Sequence, residues 1–239
     1  MAFIKGRQIM DAILIANECI DARIGSKKPG ILCKLDIQKT FDHLNWNFLL
    51  GLLVKMGFGD RWVNWIKFFI STVRFSILVN GSPVGFFPSQ RGLRQGDPLS
   101  AFLFIIGMEG LNDMLKIAQI NNWIKGFNIS YKAASNLEIT HLQYADDTLV
   151  FCDADREQLR MMRVIFVLFE AISGLHINWS KSQLYPVNEV NGLQNLANIL
   201  GGKIGELPTI YLGMTRGAKS KSKGIWNDVL EKCEKKLVN

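Results

Sequence analysis

Cysteine is sparse and scattered in this 239-residue chain: Cys19, Cys33, Cys152 and Cys233 stand far apart, with no C-x-x-C pair and no histidine at ligand spacing. That argues against a disulfide framework or a zinc site and suits a reducing compartment. Long hydrophobic runs are missing too. The most apolar stretch, Ala101 to Ile106, is far too short to cross a bilayer. Lys5 and Arg7 near the start are not followed by a long apolar segment, so Met1 to Ile9 does not read as a secretory signal. There is no internal repeat, no low-complexity linker and no clear basic run. Acid is in deficit, 21 Asp and Glu against 28 Lys and Arg, for a formal charge of +7. A basic balance is compatible with a phosphate-rich partner, because Lys and Arg displace counterions from a nucleic-acid backbone. A solvated basic surface that binds nothing explains the charge alone equally well.

With 48% hydrophobic and 21% charged residues, the chain can bury one sizeable core. Arg7 to Arg23 sets Ile9, Ile13, Ala16 and Ile20 at helical spacing. Gly30 to Asp36 is a short apolar run that reads as a strand. Asn45 to Met56 and Asp60 to Ile70 read as helices split by Gly57-Phe58-Gly59. Arg74 to Val79 and Pro83 to Phe87 flank Asn80-Gly81, a pair that supplies the positive φ angles of a tight hairpin. Asp97 caps, and Pro98 opens, a long apolar helix. Glu138 to Gln143 and Thr148 to Phe151 flank Tyr144-Ala145-Asp146-Asp147, which predicts a hairpin with carboxylates at its tip. Arg156 to Ala171 is a predicted helix. Gln183 to Val187 and Pro208 to Leu212 are predicted strands with a helix near Val190 to Leu200 between them, and Ile225 to Leu237 closes the chain as a helix. Hairpins mixed with helices, without regular βαβ alternation, predict an α+β fold on an antiparallel sheet.

The sharpest local signal is Asp146-Asp147. Two adjacent acids between apolar strands repel one another, and a divalent cation with its preference for oxygen ligands would relieve that repulsion. A plain polar turn explains an isolated Asp-Asp as well. Asp36 changes the balance, because it ends another apolar strand. Acids from different segments that converge are what a two-metal phosphoryl-transfer site needs, with ions ~3.5–4 Å apart clamping the attacking and leaving oxygens.

The segments that carry these acids resemble, in order, the motif series of non-LTR (LINE-type) reverse transcriptases, of plant-like character. Ala2 to Ile9 is similar to the segment leading into the palm. Lys34-Leu35-Asp36 with Phe41-Asp42 resembles motif A, Arg91 to Ser100 motif B, and Tyr144 to Asp147 motif C. Ser173 to Asn178 with Lys181-Ser182 resembles motif D, and Tyr211-Leu212-Gly213 motif E. A Y-A-D-D string alone is weak, whereas five motifs in order are specific.

What the resemblance implies follows position by position. The fold would be a ferredoxin-like (RRM-like) polymerase palm. Residues 1–30 would end the fingers, 31–215 form the palm and 216–239 begin the connection to a thumb. The basic fingers motif would precede Met1, and the thumb would follow Asn239. Asp36 and Asp146 would coordinate two Mg2+ ions (Mn2+ also fits), with Asp147 completing the cluster and Ile37 offering a backbone carbonyl. Phe41 would gate the ribose 2′-hydroxyl, although spacing alone makes it a core aromatic. Gln95 and Gly96 would lie against the incoming dNTP, and Asp97 is fully explained as a cap. Lys181 would assist protonation of the pyrophosphate leaving group; otherwise it is a surface lysine. Arg91 and Arg94 would meet phosphates or template, and Tyr211, Leu212 and Gly213 the primer. The partners would be an RNA template, a DNA primer and dNTPs, with no membrane, in the nucleus where such elements insert. Departures from the pattern are Gln38-Lys39-Thr40 after motif A, Ala101 in motif B and Met214-Thr215-Arg216 after motif E. The reading is therefore an RNA-directed DNA polymerase, and the alternative is a catalytically inactive nucleic-acid-binding remnant of one. Gly92 to Leu99 and Ser173 to Asn178 argue against a maturase-like splicing factor.

Overall fold

The computed structural model describes residues 2–131, 135–217 and 227–237. Its helices are α1 (Ile9–Ser26), α2 (Thr40–His43), α3 (Trp46–Lys55), α4 (Asp60–Ser71), α5 (Pro98–Ile120), α6 (Arg156–Ser173), α7 (Leu193–Leu200) and α8 (Asn227–Leu237). The first seven strands are β1 (Gly30–Leu35), β2 (Ile37–Gln38), β3 (Arg74–Val79), β4 (Ser82–Pro88), β5 (Phe127–Tyr131), β6 (Ser135–Ile139) and β7 (His141–Tyr144). The rest are β8 (Asp147–Asp153), β9 (His176–Ile177), β10 (Gln183–Val187), β11 (Lys203–Ile204), β12 (Thr209–Tyr211) and β13 (Met214–Arg216). The last predicted helix begins two residues before α8, at positions outside the described residues.

A five-stranded sheet in the order β11-β10-β1-β8-β7 organises the chain. β1 is central and buried almost throughout, because both faces of the sheet are covered. Ile31, Cys33 and Leu35 face one way, with Val150 and Cys152, into a core shared with α3, α5, α6 and α7. Leu32, Leu149, Phe151 and Tyr185 face the other way, against Ala16, Cys19 and Ile20 of α1 and against Phe127 and Tyr211. The alternation of side chains along a strand divides the molecule into these two cores. The fold is α+β as expected, but the sheet is not wholly antiparallel. β10 and β11 pair in parallel, Gln183 with Lys203 and Leu184 with Ile204, since α7 lies between them in the chain and carries it back to the same end.

Capping follows the sequence. The Asp97 carboxylate accepts from Leu99 N at 2.8 Å, with Pro98 in the first turn of α5. The Asn45 side-chain oxygen accepts from Asn47 N at 2.8 Å to start α3. Asn80 and Gly81 take φ of 50° and 82° in the β3–β4 turn, the predicted tight hairpin. Two predictions shift. α1 starts at Ile9, whose side chain is exposed and is not part of the buried stripe Ile13, Ala16, Cys19, Ile20 and Arg23. The single strand expected over Glu138 to Gln143 breaks at Thr140, so β6 pairs with β5 and β7 pairs with β8.

Candidate active site

Hydrogen-bond register brings two of the predicted acids together. Leu35 of β1 pairs with Thr148 of β8, so Asp36 and Asp147, one residue further on, stand at adjacent strand ends. Tyr144 pairs with Asp147 across the β7–β8 hairpin, which leaves Ala145 and Asp146 as its two-residue turn. Asp36 and Asp147 are half-buried, and Asp146 is exposed at the tip. Ala145 has φ 56°, a left-handed conformation that costs a residue with a Cβ ~1–2 kcal/mol. Strain of this kind gathers where a turn is held for a purpose other than stability.

Asp36 is clamped through its backbone. Its N–H donates to Ser182 Oγ at 3.1 Å, and its carbonyl accepts from Asn178 N at 2.7 Å. Ile37 and Gln38 then form β2, pairing with Ile177 and His176 of β9. The segment resembling motif D therefore holds the segment resembling motif A. Lys181 sits in that clamp with its side chain exposed, its own N–H bonded to Asn178 O at 3.0 Å.

The electrostatics reflect crowding. Burial first, then the Asp146 charge, pushes the Asp147 carboxyl above the ordinary aspartate range; Lys34 opposes this and Asp36 adds to it. Lys34 is anchored by donating from Nζ to Ile210 O at 2.8 Å. Tyr211 is fully buried, its hydroxyl makes no hydrogen bond, and burial followed by the Asp147 charge pushes its pKa up. Leu212 and Gly213 have φ of 50° and 80° and form the β12–β13 turn, so the turn, and not the Tyr211 ring, is the accessible part of this segment.

The remaining predicted residues gather around α2 and the loop before α5. Phe41 is half-buried at the edge of the core and packs on Phe104 with ring centroids 5.2 Å apart. Gln95 is exposed and donates from Nε2 to Asp42 Oδ1 at 3.2 Å. Gly96 has φ 84°, and a Cβ there would meet nothing within 4 Å, so backbone conformation and not close packing selects glycine. Arg91 and Arg94 are exposed and line, with Asp42, Phe75 and Leu103, a pocket of about 240 Å³.

The part played by Gly92 was not visible in the sequence. Its N–H bonds Leu44 O at 2.8 Å, and a Cβ would lie 2.4 Å from Asp42 O. Trp46 Nε1 donates to Gly92 O at 2.7 Å, fixing the loop from the other side. Ser182 and Lys34 stand out in the sequence only as parts of motifs; their role in fixing the acids depends on pairings distant in sequence. Among the described residues no group of three or more His, Cys, Asp or Glu is drawn tightly enough to hold a metal ion as it stands.

This architecture is shared with telomerase chains. A telomerase from Candida albicans, solved with a fragment of telomeric RNA, matches 90% of this chain and 35% of its own, with a TM-score of 0.57 at 15% identity. The Candida tropicalis counterpart matches 90% and 34%, with a TM-score of 0.59 at 12% identity. Likeness at such identity shows the fold alone: a mixed α+β fold similar to that of these telomerase chains.

The sequence narrows the class. The family described as reverse transcriptase (RNA-dependent DNA polymerase) matches residues 1–215, and the chain belongs to that family. A Pol polyprotein of the type-1 retrotransposable element R2 from Popillia japonica is 28% identical over 194 residues, 79% of this chain and 26% of that protein. A transposon TX1 protein of Xenopus laevis is 25% identical over 179 residues, 75% of this chain and 13% of that protein. An uncharacterized mitochondrial protein of Arabidopsis thaliana is 42% identical over 71 residues, 30% of this chain and 56% of that protein. The non-LTR resemblance carried by the motifs is thus shared by homologues, and the chain spans about a quarter or less of the two retrotransposon proteins.

Proposed function

We propose that this chain is the polymerase core of a LINE-type element, copying an RNA template into DNA from a primer 3′-hydroxyl. The observation that carries the reading is the meeting of Asp36 with Asp147 at adjacent strand ends, beside the Asp146 tip. The donor set is oxygen only and crowded with negative charge, which fits a hard divalent cation. Asp36 and Asp146 would hold two Mg2+ ions, with Asp147 and the Ile37 carbonyl beside them. When bound, the ions supply charge stabilisation to an in-line displacement at the α-phosphate of a dNTP.

The rest of the site positions and orients. The Asn178–Ser182 turn holds the Asp36 backbone, and Lys34 offsets part of the repulsion at Asp147. Phe41, braced by Phe104, would limit room beside the ribose. Gln95 and Gly96 would face the base and sugar of the dNTP. Lys181 would deliver a proton to the departing pyrophosphate, where a cation near developing charge is worth most. Arg91 and Arg94 would hold template phosphates, and the Leu212–Gly213 turn the primer end. On this reading the central sheet with α5 and α6 is a ferredoxin-like palm over residues 31–215, between the end of the fingers and the approach to a thumb.

Primer extension on poly-rA with Mg2+ and dNTPs tests the proposal, with Asp146→Ala/Asp147→Ala as the control. Extension by the unaltered chain, lost in the double variant, is the expected result. No extension by either protein would leave an inactive nucleic-acid-binding remnant as the better reading.

A further inference from the structure

We propose that a pocket between residues 4–7, α5 and β7 binds an adenosine 5′-phosphate unit, with Gln143 reading the base edge and Arg7 and Lys116 holding the phosphate. The pocket measures about 340 Å³ and is walled by Arg7, Glu109, Asn112, Lys116, His141 and Gln143, among others. That is within the ~300–1,000 Å³ typical of small-ligand sites.

Three of these six polar side chains are engaged with one another. Asn112 donates from Nδ2 to Glu109 Oε2 at 2.7 Å, and Asn112 Oδ1 lies 2.8 Å from His141 Nε2. An amide oxygen can only accept, so His141 carries its hydrogen on Nε2. Its Nδ1, 3.0 Å from Thr140 Oγ1, is then the acceptor of that hydroxyl. Burial pushes the His141 pKa down to about 4, so its ring is neutral at physiological pH.

Gln143 stands outside the frame. It is only 8% exposed, yet neither its Nε2 nor its Oε1 makes a hydrogen bond. Thr148, its partner across β7 and β8, also has an unpaired hydroxyl. A buried amide with both ends unmet is costly and waits for a partner that accepts and donates side by side. The adenine edge, N7 beside the N6 amino group, is the match a glutamine amide makes in bidentate contact. At the mouth, Arg7 and Lys116 are exposed and form no ion pair among the described residues, leaving two cations for a phosphate.

The pocket is not the acidic site seen from another side. Gln143 pairs with Thr148 and shares its face with Val150, on the α5 side of the sheet, whereas Asp147 shares its face with Leu149, on the α1 side. Its occupant would press on the strand that leads into the Asp146 turn. The same chemistry could come from a free nucleotide or from one unit of an RNA strand passing the β7 edge.

The test is calorimetric titration of the full chain in EDTA, where metal-dependent dNTP binding is silent, with AMP, UMP, inorganic phosphate and an rA octamer. Binding of AMP, at least tenfold tighter than UMP and weakened tenfold or more by Gln143→Leu and by Lys116→Met, is expected, and assigns a free nucleotide. Binding by the octamer alone, with the same dependence on Gln143, assigns a strand. Asp146→Ala/Asp147→Ala should leave either result unchanged, so failure of the polymerase reading and failure of this one are separable. Near-UV circular dichroism checks each variant's fold, and Lys116→Met alters only an exposed side chain should Gln143→Leu misfold. Equal binding of AMP, UMP and phosphate, indifference to both substitutions, or no binding at all would overturn the proposal.

Discussion

Asp147→Asn is expected to make the protein more stable without divalent cations and to weaken the stabilisation that Mg2+ confers. Burial and the neighbouring Asp146 and Asp36 charges hold the Asp147 carboxyl above its ordinary range, with only Lys34 opposing them. The folded chain therefore keeps that proton to higher pH than the unfolded chain does. Stability from this group is fully present below the ordinary aspartate value and is lost as pH rises through the raised one, the reverse of a salt-bridged carboxylate. At neutral pH the charge is a liability. Two like charges 4 Å apart repel by about 1 kcal/mol in water and about 4 kcal/mol at the effective dielectric of a protein surface. For a half-buried group partly offset by a lysine, about 1–2 kcal/mol is a fair expectation, or roughly 2–8 °C in Tm for a chain of this size.

A cation reverses the sign. Mg2+ at 100 times its dissociation constant would stabilise the folded chain by about 2.7 kcal/mol, roughly 5–10 °C. Thermal unfolding followed by calorimetry, in EDTA and then across a MgCl2 titration, reads both effects. The unaltered chain should gain with Mg2+, and Asp147→Asn should start higher and gain less. A lower Tm for Asp147→Asn in EDTA, or equal gains for both proteins, would refute the electrostatic account of the site.

Three further outcomes can be measured independently. His141 has a folded pKa of about 4 against an ordinary 6.5, so the unfolded chain protonates first on acidification. Stability should fall by about 2 kcal/mol between pH 7 and pH 5, read from urea midpoints, and His141→Gln should flatten that slope. Gly92→Ala places a Cβ 2.4 Å from a backbone carbonyl at φ 79°, for an expected loss of about 3 kcal/mol in urea unfolding. Arg23 is 6% exposed, pairs with Asp153 and stacks 4.7 Å over Phe127. Arg23→Met should cost about 2–3 kcal/mol in the same assay, less than for a wholly buried pair because Asp153 is partly solvated, and Asp153→Leu in that background should recover part of it.

The elements that sequence predicted well are those whose cause is local. Asp97-Pro98 places the start of α5 by itself, because the cap acts within three residues. Asn80-Gly81 likewise announces its own hairpin, since both residues take the positive φ that turn demands. What local pattern hid was pairing. The apolar stretch from Glu138 to Gln143 looks like one strand, and nothing within it says that Thr140 leaves one sheet for another. The parallel β10–β11 edge was equally invisible, since β11 is two residues long and owes its place to where α7 returns the chain. Leu212-Gly213 makes the same kind of turn as Asn80-Gly81, but leucine there gives no warning of a positive φ.

The site divides along the same line. Asp36, Asp146 and Asp147 were legible as acids at strand ends, and the resemblance of the flanking segments to reverse-transcriptase motifs identified the family that the comparison with known sequences shows. Their support was not legible. Ser182 reaches Asp36 across 146 residues of chain, and Lys34 is fixed by a carbonyl 176 residues away. Such contacts leave no periodic trace, because a serine or lysine in either place satisfies its own local pattern whatever it later touches. Gln143 is the opposite case. In the alternation of a strand beside a polar turn it passes as an edge residue, and only the folded chain reveals a buried amide with neither end satisfied. A residue that breaks a packing rule at no gain to the fold is where function beyond the motifs should be sought. In this chain the rule is broken on the opposite face of the hairpin from Asp147, a position no motif string marks.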